Sequence, residues 1–102
     1  MIHVIATIQV VPGKRDEFLE VFSANVPNVL AEDGCIRYEP TVDVDSGLGI
    51  QGELRGNAVT IVETWESLEA LHRHLAAPHM ATYREKSQHL VTGTSLQVLE
   101  SV

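Results

Sequence analysis

The sequence predicts an α+β domain of the ferredoxin-like type, a four-stranded antiparallel sheet carrying its helices on one face. Three observations carry this expectation. Apolar spacing switches between period two and a helical period in the order β-α-β-β-α-β. Pro12-Gly13, Gly34, the Gly-rich stretch 46–57 and Pro78 mark most of the boundaries, and Ser67 marks the start of the helix after the third strand. A length of 102 residues matches one domain spanning 1–102, with no repeat, low-complexity tract or linker inside it.

Residues 2–11 alternate, with Ile2, Val4, Ala6, Ile8 and Val10 on one face and the mixed set His3, Ile5, Thr7, Gln9 and Val11 on the other. Pro12-Gly13 ends this strand. A helical stripe follows through Phe18, Val21, Phe22, Val26, Val29 and Leu30. Pro27 removes one backbone donor inside that stripe and predicts a kink or a break. Glu32, Asp33 and Gly34 are expected to end the helix, with Gly34 suited to a left-handed cap.

A second strand is expected from Cys35 to Asp45, with Ile36, Tyr38, Val42 and Val44 on one face; Pro40 marks it as an edge or a bulge. Residues 46–57 are Gly-rich and read as a hairpin loop. Ala58–Trp65 is the strongest strand, with Val59, Ile61, Glu63 and Trp65 alternating against Thr60, Val62 and Thr64. Ser67 suits an N-cap, and Leu68, Leu71 and Leu75 are expected on one side of the helix that follows. Pro78 opens a second short helix to about His89, and Thr92–Glu100 is the last strand.

Helices on one face leave the other sheet face with Ile, Val and Leu side chains that a small monomer should not expose. A homodimer packed through that face is therefore expected. Seven Lys and Arg against 14 Asp and Glu give a charge of −7, and no basic cluster exists to track phosphates, so nucleic acid is excluded as a partner. The lone Cys35 forms no internal disulfide and no zinc motif. No apolar run reaches the ~18 residues of a membrane helix and no signal-peptide pattern opens the chain. A cytoplasmic location without membrane attachment is expected.

Gly47–Gly52 matches G-x-G-x-x-G, but it lies between two strands and opens no helix, so a flexible hairpin loop is the better reading than a nucleotide site. His74 and His79 flank Pro78 and could share a site after a bend; no third metal ligand has a recognisable spacing. His3, His72 and His89 read as surface residues. Glu63 lies on an apolar strand face, as a paired surface carboxylate or as a proton acceptor or orienter of a nearby His. A dimeric domain with a His/Glu pocket is as far as spacing reaches.

The segment AVTIVETWESLEALHRHLAAPHMATY, residues 58–83, carries E-x-W followed by H-L-x-x-P-H, and it resembles the signature stretch of antibiotic biosynthesis monooxygenase domains. VIATIQVVPGKRDEF and VPNVLAEDGCIRYEPTVD are similar to the family's first strand, first helix and second strand. The resemblance implies a dimeric α+β barrel. It also implies, for many members, oxidation of a hydroquinone or polycyclic phenol by O₂ with no metal, flavin or haem. By this resemblance His74, His79 and Glu63 are the expected catalytic residues, and Trp65, Phe18, Phe22 and Tyr83 the expected wall around a small aromatic substrate. Helical phase favours His72 over His74 for the interior, whereas the motif selects His74. The haem-degrading branch carries Trp at the place of His74 and its haem ligand at the place of Arg84, neither of which is present. An isomerase branch acting on a small phosphorylated sugar shares Glu63, His74 and His79, but Trp65, GCIRYEP and APHM favour the quinol-oxidising side. A non-catalytic binder of an aromatic metabolite is the remaining alternative.

Overall fold

The computed structural model describes residues Met1–Val102. Strands β1 (Ile2–Val10), β2 (Cys35–Thr41), β3 (Ala58–Trp65) and β4 (Val91–Glu100) form one antiparallel sheet in the order β2-β3-β1-β4. Helices α1 (Arg15–Leu30), α2 (Leu68–Ala76) and α3 (Pro78–Ser87) complete the α+β ferredoxin-like arrangement. Ile2, Val4, Ala6 and Ile8 pair with Trp65, Glu63, Ile61 and Val59, and this register puts both strands' buried residues on one face. The core lies between that face and the helices, with Phe18, Val59 and Trp65 fully buried.

Several elements differ from the sequence expectation. Helix α1 runs unbroken through Pro27. The residue four earlier, Ser23, is exposed, as Pro27 is, so a carbonyl deprived of its helical donor faces water. The helix ends at Leu30, and Gly34 takes its left-handed conformation (φ 85°) in the turn beyond. Strand β2 stops at Thr41, and a bulge between Cys35 and Arg37 leaves Ile36 exposed, so only Tyr38 of its expected apolar face is buried. Pro40 does sit on an edge strand, where a missing N–H is harmless.

In α2 the side chains of Ala70, Leu71 and His74 are buried, whereas Leu68 and Leu75 are largely exposed. The cause is a close approach at Gly34: a Cβ on that residue would lie 2.6 Å from the Cβ of Ala70. The Glu66 amide also donates to the Gly34 carbonyl at 2.8 Å, so the α1–β2 turn is clamped onto the start of α2. That contact sets which side of α2 faces inward. Ser67 caps α2 as expected, accepting from the Ala70 amide.

On the helix-free face Ile5 and Val62 are half-buried among threonines, and Leu99 is exposed. Residues 42–57 form the long β2–β3 loop, held by a bidentate Arg55–Asp43 pair at 2.8 and 2.9 Å. No helix is long and apolar enough to cross a membrane.

Candidate active site

A cavity of about 470 Å³ opens between the helices and the sheet. Ala6, Ile8, Tyr38, Ile61, Glu63 and Leu96 form its sheet side, and Phe22, His74, Met80 and Tyr83 close it from the helices. Such an apolar space with a few polar groups is the ordinary form of a small-molecule site. Phe22 and Tyr83 stand in its wall as the sequence suggests, meeting edge to face at 5.5 Å. Phe18 and Trp65 do not line it. Both are fully buried behind the wall: Phe18 packs on Phe22, and the Trp65 indole lies 4.6 Å from the His74 ring that covers it.

His74 is only 2% exposed, which settles the competition with exposed His72 in favour of the residue the motif selects. Its Nδ1 pairs with Glu32 Oε2 at 2.7 Å, while its Nε2 has no protein partner and the ring lines the cavity. A carboxylate on Nδ1 holds the proton there and leaves the Nε2 lone pair free to accept another. Burial pushes the His74 pKa below its ordinary value, and the Glu32 hydrogen bond and charge oppose that shift.

Pro78, at the start of α3, turns the chain so that His79 reaches the other oxygen of Glu32, with Nε2 to Oε1 at 3.3 Å. The two histidines do share a site, and a carboxylate joins them. Glu63 is not their orienter. Its Oε1 accepts from Trp65 Nε1 at 3.0 Å, because residues two apart on a strand share a face, and it bonds neither histidine. Burial pushes the Glu63 pKa up to about 7, opposed by the Trp65 bond. Its carboxyl faces the cavity in company with His74.

Glu32, Tyr38 and Met80 went unread as site residues. Tyr38 stacks on Phe22 at 5.4 Å and meets the His74 ring edge-on at 5.3 Å. Arg84 brings a cation to the rim, anchored by its bond to the Leu75 carbonyl at 2.8 Å. No set of three or more His, Cys, Asp or Glu side chains is placed to hold a metal ion. Burial raises the Cys35 thiol to about 11, so it is no ready nucleophile.

The fold and this cavity define a ferredoxin-like domain with an internal small-molecule site. The family model for antibiotic biosynthesis monooxygenase matches residues 1–86, and the chain belongs to that family. The probable quinol monooxygenase YgiN of Escherichia coli K12 is 36% identical over 102 residues, covering 98% of this chain and 97% of its own. Among solved structures, Rv0793 from Mycobacterium tuberculosis superposes with a TM-score of 0.80 at 26% identity, covering 99% of this chain and 94% of that one. PA3566 from Pseudomonas aeruginosa matches in fold with a TM-score of 0.80 at 23% identity, covering 99% and 93%. Membership supports a small-molecule monooxygenase, an oxidoreductase, as the class of activity.

Proposed function

We propose that the chain oxidises a hydroquinone or polycyclic phenol with O₂ without a bound cofactor, using His74 as the base. The observation that carries this is the buried His74, tied to Glu32 through Nδ1 and open to an aromatic-walled cavity through Nε2. Triplet O₂ accepts electrons one at a time and reacts slowly with a closed-shell phenol. A phenolate is a far better donor. His74 Nε2 takes the phenolic proton, and Glu32 stabilises the imidazolium that results. The phenolate passes an electron to O₂, the radical pair joins through a C–O bond, and the O–O bond of that adduct then breaks. His74 returns its proton to the outer oxygen; the C–H bond at the same carbon breaks as the O–O bond does, its electron pair makes the carbonyl, and its proton completes the water that leaves. Substrate SH₂ and O₂ become SO and H₂O, so atoms and electrons balance.

Phe22 and Tyr83 hold the aromatic ring, and Trp65 supports the His74 ring from behind. Glu63, protonated below about 7, offers a donor to a second substrate oxygen. His79 has both ring nitrogens occupied and serves Glu32 rather than the substrate. A second copy packing on the Ile5/Val62/Leu99 face makes the homodimer, which light scattering at micromolar concentration tests.

An oxygen electrode with a panel of hydroquinones tests the reaction. Uptake that falls about 10²–10⁴-fold in His74→Ala is expected. No uptake with any hydroquinone, together with isomerisation of a small phosphorylated sugar, overturns it.

A further inference from the structure

His79 is bonded on both sides, and the partner on its far side is Asn25 of α1, at 3.2 Å from Nδ1. We propose that Asn25 is a positioning residue, which fixes His79 as a neutral donor and so reserves the charge of Glu32 for His74. The proposal rests on the reading of His74 as the base.

The direction of the chain follows from its outer end. Asn28 Nδ2 donates to Asn25 Oδ1 at 3.0 Å. The Asn25 amide nitrogen faces both His79 Nδ1 and the Met80 sulfur, the latter at 3.5 Å. Turning that amide over would set a carbonyl oxygen against a thioether and two amide NH₂ groups against each other. With the NH₂ towards His79, its Nδ1 must accept, so its proton sits on Nε2 and is donated to Glu32. Glu32 then receives one N–H on each oxygen.

Asn25 and His79 also line a second cavity, of about 470 Å³, between α1 and α3 on the outer side. His79 is therefore reachable by solvent protons without passing the substrate site. A proton on His79 would create an imidazolium on the same carboxylate. That second cation would compete for Glu32 and repel a charge on His74, making His74 a weaker base. The groups facing His74 are Glu32 from the α1–β2 turn, Tyr38 from β2, Glu63 from β3, and His79 and Arg84 from α3. Of these, His79 is the one in contact with Asn25.

Asn25→Asp is nearly isosteric and places a carboxylate on Nδ1, which should draw a proton there. Imidazole ¹H–¹⁵N correlation spectra of the full chain should show His79 protonated on Nε2 alone in the parent at pH 7, and on both nitrogens in Asn25→Asp. The acid limb of kcat/KM against pH for hydroquinone oxidation should move down by about one unit, a tenfold weaker base. His79→Gln keeps an N–H for Glu32 but cannot titrate, so adding Asn25→Asp to it should leave the limb unmoved. An unchanged His79 spectrum in Asn25→Asp overturns the proposal, as does an equal limb shift in the His79→Gln background. If His74→Ala keeps full turnover, the reading of the base fails, while the His79 spectra still decide the tautomer.

Discussion

The His74 cluster and the β2–β3 loop are both built around a carboxylate paired with a cationic or ionisable nitrogen side chain, yet they do opposite things. In the loop, Asp43 is clasped by Arg55 in a bidentate pair away from the cavity, with the Asp43 side chain mostly covered and the Arg55 side chain about half exposed to solvent. The pair holds the Asp43 carboxyl down at about 2. In the cluster, Glu32 serves two imidazoles, His74 is sealed from bulk water, and burial drives the neighbouring Glu63 up to about 7. Arg55 answers both oxygens of Asp43 and itself reaches water, so the loop's chemistry is quiet. The cluster must satisfy itself, and the demand leaves one nitrogen and one carboxyl turned towards a cavity.

The largest effect should separate the two carboxylates by turnover. Glu32→Gln removes the anion behind His74 and should lower hydroquinone oxidation about 10²-fold, whereas Asp43→Asn should stay within about twofold. Equal losses in the two variants would erase the distinction.

The next contrast uses two glycines with similar left-handed angles, Gly34 (φ 85°) and Gly47 (φ 74°). A Cβ at Gly34 meets Ala70 at 2.6 Å, while one at Gly47 meets nothing within 4 Å. Gly34→Ala should cost about 2–4 kcal/mol in urea unfolding, combining backbone strain with overpacking. Gly47→Ala should cost about 1 kcal/mol. Similar costs would mean that the turn is not clamped onto α2.

A third contrast is in pH. Glu63 holds its proton more tightly when folded, so the stability it contributes is complete below its unfolded pKa of 4.5 and is lost as pH rises through about 7. At about 1.4 kcal/mol per pH unit this amounts to at most about 3 kcal/mol, read as the difference between parent and Glu63→Gln from pH 5 to pH 8. Subtracting Glu63→Gln isolates it from His74, whose depressed pKa acts the other way in the same window. Asp43 has the reverse sign: its contribution is present above 3.8 and fades as pH falls towards about 2. The smallest expected change is in the loop at neutral pH, where Arg55→Lys should alter stability by no more than about 1 kcal/mol, as for other exposed pairs.

The same contrast explains what was legible in the sequence. Strand β3 could be read residue for residue because alternation reports a half-buried strand directly. The break that Pro27 allowed for is absent, because a local rule about donors ignores which way the affected carbonyl faces. Leu68 and Leu75 misled because the orientation of α2 is set by the Gly34–Ala70 approach, a contact between distant parts of the chain. Glu32 went unread for the same reason. It lies in an ordinary acidic turn, 42 residues from His74, and nothing local distinguishes it from Asp33. The one available hint was the odd spacing of His74 and His79 across Pro78, which asks for a shared partner without naming it. The loop, by contrast, displays the most conspicuous motif in the chain, a G-x-G-x-x-G stretch that opens no helix.

Trp65 is the chain's single tryptophan, and its ring lies 4.6 Å from His74 while its N–H is spent on Glu63. All of the protein's indole emission therefore originates beside the two groups that change protonation. An imidazolium quenches indole fluorescence, and ionising the carboxylate at the ring nitrogen shifts the emission wavelength. The protein thus has a built-in optical electrode at its centre, whose intensity should follow His74 and whose colour should follow Glu63, with no label attached.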